Sequence, residues 1–306
     1  MKIEYIKNKN IDYKKWDTCI QKSINGNLYA CSWYLDIVCN NWDALIYNNY
    51  EAVMPLTYSS KMGILYLSQP LFTQQLGVFS TSAVSQNLLL EFLKNIPSAF
   101  KYIEINLNKY NILKSNKLVY RKNHNFELDL ISNYKQIVKK YSENTKRNIS
   151  KSVKFGLQPI SNSCSVNDFV NFIKKNVGDK VANLPTEKYG VIRKIVSHSL
   201  KNGFGEIICA YNPQNELSSA AFFIFSQKKA IYLFAASTDE GKEKRAMFLI
   251  IDEFIKKYSE KNLILDFEGS NIDGLARFYK GFGAVNCEYL TIKQNRLPFP
   301  LKFLKK

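Results

Sequence analysis

The sequence predicts a mixed α/β (α+β) protein of two tandem domains, each a mixed, mostly antiparallel sheet flanked by helices. Three observations carry this reading. One order of elements, three short strands, a helix and a strand, occurs twice along the chain. A length of 306 residues with 46% hydrophobic and 14% aromatic content is enough for two cores of ordinary size. Residues 263–284, LILDFEGSNIDGLARFYKGFGA, read as a buried strand, a short loop and a helix closed by Gly281 and Gly283.

In the first half, apolar periodicity predicts helices over residues 11–23 and 32–40. Strands follow at 42–47 (WDALIY), 51–58 (EAVMPLTY) and 64–71 (ILYLSQPL), separated by turns at 48–49 and 59–63. The loop TQQLGVFS then leads into a helix over 82–95 and a strand over 101–107 (KYIEINL). In the second half, helices are expected over 134–155, 166–176 and 186–202. A meander follows at 206–212, 216–225 and 230–237, with a turn at Asn212-Pro213 and another at 226–229. A helix over 244–258, apolar at Met247, Phe248, Ile250, Ile251, Phe254 and Ile255, precedes the strand at 263–269 and the helix at 273–280. Asn and Lys dominate between Lys109 and Asn125, which places the domains at 1–120 and 121–306.

Charge and cysteine usage bound the function. A formal charge of +17 calls for an anionic partner such as a nucleotide, tRNA or membrane surface. Arg accounts for only six of the 43 basic residues, so drift toward Lys competes with selection for phosphate recognition. The six cysteines, Cys19, Cys31, Cys39, Cys164, Cys209 and Cys287, lie far apart with two histidines, His124 and His198. That spacing argues against a metal site or disulfide framework and predicts reduced, mostly buried thiols. No apolar run is long enough for a membrane span or signal peptide, so the expected location is cytoplasmic, without stable membrane insertion. The tail RLPFPLKFLKK reads as a strap over the second domain. The sequence leaves the oligomeric state open.

Motifs sharpen the reading. Asn271, Ala276, Phe278, Tyr279, Gly283 and Ala284 resemble the last conserved block of the GNAT (Gcn5-related N-acetyltransferase) fold. With the repeat, the chain resembles double-GNAT, FemAB-type proteins, the Fem-type aminoacyltransferases. Ser142, Thr145, Lys146, Arg147, Ile149, Lys151 and Gly156 match the stretch that opens the second unit of that group, and residues 266–270 (DFEGS) match another. The resemblance implies an acyltransferase moving an aminoacyl or acyl group onto an amine, such as that of a cell-wall or cell-surface precursor. It implies no permanently bound cofactor, with aminoacyl-tRNA or acyl-CoA as donor. The alternatives are an acyl-CoA-dependent N-acetyltransferase and a non-catalytic module binding an anionic ligand.

Candidate residues follow. Strand alternation places Asp266 and Glu268 on one face, where a carboxylate pair could orient an ammonium and take its proton; a cap on the next helix is the plainer role. Tyr279 matches the Tyr that protonates the leaving group in many GNAT enzymes. On the helix that follows the boundary, Tyr141, Thr145, Ile149 and Val153 form an apolar stripe and Arg147, Lys151 and Lys154 a basic ridge for an anionic or nucleotide-linked substrate, including tRNA. Gly241, Lys242, Lys244, Arg245 and Asn271 are the donor-binding candidates, although an exposed helix start explains the basic stretch at least as well and a helix cap is the plainer role for Asn271. The stretch around Gly241 departs from the Arg/Gln-x-x-Gly-x-Gly/Ala pattern of acyl-CoA enzymes, which favours aminoacyl-tRNA. Gln74 and Gln75, with Gln69, Trp33 and Trp42, sit where Fem-type enzymes build an acceptor cleft, although the tryptophans also suit a core.

Overall fold

A computed structural model describes residues 2–114, 118–177, 185–269 and 271–304. Ser270, in the expected loop before the last helix, lies outside the described residues. The chain divides into two compact units, residues 1–124 with 288–306, and residues 125–287. Residues 288–306, which the sequence reading gives to the second domain, therefore belong to the first.

The first unit begins with β1 (Ile3–Ile6), α1 (Tyr13–Lys22) and α2 (Ser32–Val38). Asp12 caps α1 by accepting from the Lys15 N–H, and the helix buries Trp16, Cys19 and Ile20, the i, i+3, i+4 stripe of an amphipathic helix. The meander follows as β2 (Trp42–Tyr47), β3 (Ala52–Lys61) and β4 (Ile64–Ser68). Next come β5 (Phe79–Ser80), α3 (Gln86–Lys94) and β6 (Phe100–Asn106). Strands β1, β2, β3 and β4 pair antiparallel in that order, whereas β6 joins β4 in parallel, the register that a crossover helix permits. Leu67, Ile103 and Ile105 face a core completed by Leu89, Phe92 and Leu93 of α3. The TQQLGVFS loop is fixed by asparagines. The Asn25 and Asn111 amides donate to the Val78 carbonyl at 2.7 and 2.9 Å, and Asn111 Oδ1 accepts from the Val78 N–H at 2.7 Å. Gly77 is required there, since its φ is +92° and a Cβ would lie 2.2 Å from Asn111 Oδ1.

The chain passes into the second unit along β7 (Val119–Asp129), then forms α4 (Tyr134–Lys139) and α5 (Glu143–Lys154). The single helix expected over 134–155 is broken because Ser142 caps α5, accepting from the Thr145 N–H. After β8 (Gln158–Ser161), α6 (Val166–Asn176) and α7 (Thr186–Lys201), the second meander is β9 (Gly205–Tyr211), β10 (Leu217–Ser226) and β11 (Lys229–Ser237). Next are α8 (Asp239–Glu243), α9 (Ala246–Tyr258), β12 (Ile264–Asp266) and α10 (Asp273–Gly281). Strand β13 (Val285–Asn295) returns to the first unit, where Thr291–Asn295 pair with β6. The tail does not strap the second unit, because Arg296 is tied to Lys101 and Ile96 of the first.

Within the second unit β7, β12, β11, β10, β9 and β8 are neighbours in that order, and only β11 and β12 run parallel. Helix α9 supplies the core, with Phe254 stacked on Phe223 at 4.0 Å between ring centroids. Its one buried carboxylate, Asp252, receives the hydroxyls of Tyr134 and Tyr141 at 2.9 and 3.0 Å, which ties α4 and the start of α5 to α9. Burial raises the Asp252 carboxyl above its usual range, with the two tyrosines working against that rise. A raised native pKa contributes stability that is present at acid pH and lost as pH rises through it. Asp252→Asn keeps an acceptor for both hydroxyls without this titration. Its melting temperature relative to the unmutated protein should therefore rise between pH 4 and pH 7; thermal melts across that range check the sign.

Candidate functional site

Strands β11 and β12 pair over Lys229–Ile231 and Ile264–Asp266 only. Beyond that point β11 runs on to Ser237, while β12 ends at Asp266. Pairing of β11 with β10 shifts register between Phe223↔Tyr232 and Phe222↔Phe234, so Leu233 is an extra, bulged residue. The ladder between the two strands thus stops two residues before the bulge at Leu233.

Aromatic side chains stand where the strands part. Tyr279 of α10 stacks on Phe267 at 4.8 Å, meets Tyr232 edge-on at 6.4 Å and lies tilted against Phe126 at 6.0 Å. Burial pushes the Tyr279 hydroxyl well above the ordinary phenol range, and the Glu268 charge adds to the effect. Tyr279 therefore holds its proton at neutral pH.

Glu268 and Asp266 do not share a strand face. The strand stops at Asp266 and Glu268 adopts a left-handed conformation with φ 55°, so the alternation on which the pairing rested is lost. The Glu268 N–H turns back to donate to Asp266 Oδ1 at 3.0 Å. The Asn125 amide of β7 donates to the same oxygen at 3.0 Å. Asp266 Oδ2 accepts from Lys229 Nζ at 2.8 Å, and that ammonium also reaches Glu127 Oε1 at 2.6 Å. Burial opposes the Lys229 charge, but Asp266 and Glu127 together outweigh it and hold the lysine protonated. With both oxygens engaged, Asp266 acts as a structural anion joining β7, β11 and β12 rather than as an open proton acceptor. Sequence reasoning missed Lys229, Glu127 and Asn125; the only trace was a lysine at the start of an otherwise apolar strand.

The basic candidates gather elsewhere on this unit. Arg147, Lys151 and Lys154 are exposed on α5, whose buried positions are Thr145 and Ser152; Val153, expected in the apolar stripe, is 59% exposed. Lys151 of α5 and Lys244 beside α9 lie over the same ring, Phe155, at 5.5 and 5.8 Å. Ser152 Oγ donates to the Arg245 carbonyl at 2.8 Å, pinning α5 to the α8–α9 junction. Lys242 and Lys244 also pair with Asp239 and Glu240 of their own turn. Arg245 takes a left-handed φ of 63°. Gly241 is explained by packing, since a Cβ there would lie 2.1 Å from the Ser218 carbonyl oxygen. Asn271 is not the N-cap of α10; that position is Ile272, which makes no side-chain cap.

In the first unit the glutamines brace a loop. Gln75 Oε1 accepts from the Lys109 N–H at 3.0 Å, its amide donates to Gln74 Oε1 at 2.7 Å, and the Gln74 carbonyl accepts from Asn106 at 2.9 Å. Trp42 is a core residue. Gln69 lines a cavity of about 780 Å³ with Tyr66, Tyr102, Glu104, Asn106 and Arg121. Neither Gln74 nor Gln75 is among its lining residues. Among the described residues no group of His, Cys, Asp and Glu is placed to hold a metal ion, and no helix is long and apolar enough to cross a membrane.

Replacing Lys229 by Met would leave Asp266 and Glu127 facing each other without a cation. A loss of about 3 kcal/mol in unfolding free energy is expected. The deficit should be larger at pH 8 than at pH 5, where one carboxyl can take a proton; denaturant unfolding at the two pH values measures it.

No protein-family profile matches the chain, and no curated protein matches it in sequence. Solved structures do match in fold. FemX superposes with a TM-score of 0.66 at 14% identity, covering 99% of each chain. The L-PGS structure from Bacillus licheniformis gives a TM-score of 0.54 at 11% identity over 96% of this chain and 95% of that one. The C-terminal domain of a putative lysylphosphatidylglycerol synthetase from Agrobacterium fabrum gives 0.57 at 9% identity over 96% and 94%. With this strand order and these structural neighbours, the chain has a GNAT/FemAB-like fold.

Proposed function

We propose that the protein is an acyltransferase that moves an aminoacyl or acyl group onto an amine, with the chemistry in the second unit. The observation that carries this is the parting of β11 and β12 after three paired residues, beside a buried, protonated Tyr279. Parting strands leave main-chain N–H groups to polarise a donor carbonyl. A neutral amine attacks the carbonyl carbon, the bond to the leaving oxygen or sulfur breaks, and Tyr279 passes its proton to the leaving atom. Glu268, close enough to act on Tyr279, is the group we assign to take the proton that the amine sheds.

The leaving group favours an aminoacyl ester over a thioester. A ribose alkoxide is a far stronger base than a thiolate and needs a proton as it departs, and a phenol with a raised pKa is matched to that task. Lys151 and Lys244 around Phe155, with Arg147 and Lys154 on the same helix, supply the cationic surface that a tRNA or another phosphate-bearing donor requires. In the first unit, a cavity lined by both Glu104 and Arg121 suits a ligand that carries a cationic and an anionic group.

Thermal shift separates the donors, because a ligand that binds only the folded protein raises its midpoint. Charged tRNA should raise it and CoA should not; stabilisation by micromolar CoA would contradict the ester donor. Lys151→Ala combined with Lys244→Ala should reduce the slope of log binding constant against log salt by about 1 to 2 for tRNA, which binding titrations between 50 and 200 mM salt read.

A further inference from the structure

Cys209 of β9 and Cys164, in the loop that leads into α6, lie 45 positions apart in sequence with their sulfurs 3.3 Å from each other. This is closer than two unbonded thiols need to be, and a disulfide requires a further approach of only about 1.3 Å. The backbone around them is already docked. Asn162 exchanges two bonds with Ile207, its N–H to the Ile207 carbonyl at 2.6 Å and its Oδ1 from the Ile207 N–H at 3.0 Å. The Tyr211 hydroxyl donates to the Ser163 carbonyl at 3.4 Å, and Ser165 caps α6 by accepting from the Asp168 N–H. The segment that carries Cys164 is thus held against β9 before any cross-link forms.

We propose that Cys164 and Cys209 are a redox modification site, closing a reversible disulfide in response to a hydroperoxide. The access is one-sided, since Cys209 is fully buried and Cys164 is only partly so. The Cys164 sulfur takes one oxygen from the hydroperoxide, giving a sulfenic acid and the corresponding alcohol, which is water when the oxidant is hydrogen peroxide. The Cys209 sulfur then attacks the Cys164 sulfur, the S–O bond breaks, and the hydroxyl leaves with the Cys209 proton as water. Nothing beyond the peroxide is consumed, and a dithiol reductant reverses the bond. Cys31 and Cys39 are not arranged this way: their sulfurs turn back to the carbonyls of Asn27 and Leu35, at 3.8 and 3.0 Å. Closure would fasten the loop before α6 to the sheet and shorten the loops open to the unfolded chain, so the oxidised protein should be the more stable form.

The test treats the reduced, folded protein with equimolar to tenfold hydrogen peroxide, then blocks free thiols and maps peptides by mass spectrometry. The expected result is one cross-linked pair, Cys164 with Cys209, accompanied by a rise in melting temperature of about 5 to 10 °C that dithiothreitol reverses. Cys164→Ser, a substitution at the partly exposed member, should remove both the cross-link and the rise while leaving the reduced melting temperature within about 2 °C; Cys209→Ala provides the second variant. Accumulation of a sulfinic acid at Cys164 without a cross-link, or pairing of any other two cysteines first, would overturn the assignment.

Discussion

The second unit depends on one half-buried cation. Lys229 begins β11, and its ammonium binds Asp266 of the adjacent β12 and Glu127 of β7, the strand beyond it. Two carboxylates this close in a buried setting would repel each other without it, and they in turn offset the burial that works against the lysine's charge. The consequence is geometric. The three strands are clamped at one end of β12, so β11 is free to bulge at Leu233 and part from β12 on the far side of the clamp. The carboxylates that look like a catalytic pair in the sequence are divided by this arrangement. Asp266 is spent on the clamp, and Glu268, turned away by its left-handed backbone, stands near Tyr279.

The conserved-looking blocks also have structural work. Ser142 and Thr145, the polar pair that opens α5, meet the end of α10: the Ser142 N–H donates to the Gly281 carbonyl at 2.9 Å, and a Cβ on Gly281 would lie 2.4 Å from Thr145 Oγ1. Gly283, with φ +83°, closes α10 against Lys140. These contacts hold α10, and with it Tyr279, at a fixed height over the parting strands. The motif residues therefore determine the local fold, and through it the position of the Tyr279 side chain.

Much of this was legible in the residues. Strong apolar runs located β2, β10, α6 and α9 within a few positions, and the repeated order exposed the tandem architecture. What the sequence hid were strands whose apolar alternation is short, Phe126 and Leu128 in one and Leu290 and Ile292 in the other, with polar residues over the rest. In β7 (VYRKNHNFELD) and β13 (VNCEYLTIKQN), polar side chains are satisfied by neighbours, as when Asn123 donates to Thr291 Oγ1 at 2.7 Å and Thr291 to Asn106 Oδ1 at 2.8 Å. Such pairing leaves no periodic signal. The break at Ser142 was misread because the apolar pattern runs through it, while the cap acts locally. Lys229 was passed over: one lysine among many reveals its role only when its partners, over thirty and a hundred positions away, are placed beside it.

The central claim is a division of labour: Tyr279 serves the chemistry and Asp266 serves the fold. It is tested most directly by measuring aminoacyl transfer and the unfolding midpoint together in Tyr279→Phe and Asp266→Asn. The account predicts that Tyr279→Phe lowers turnover about 100-fold or more with the midpoint nearly unchanged, and that Asp266→Asn lowers the midpoint while the molecules still folded retain most of their turnover. Full activity in Tyr279→Phe, or a folded Asp266→Asn protein with abolished transfer, would contradict it.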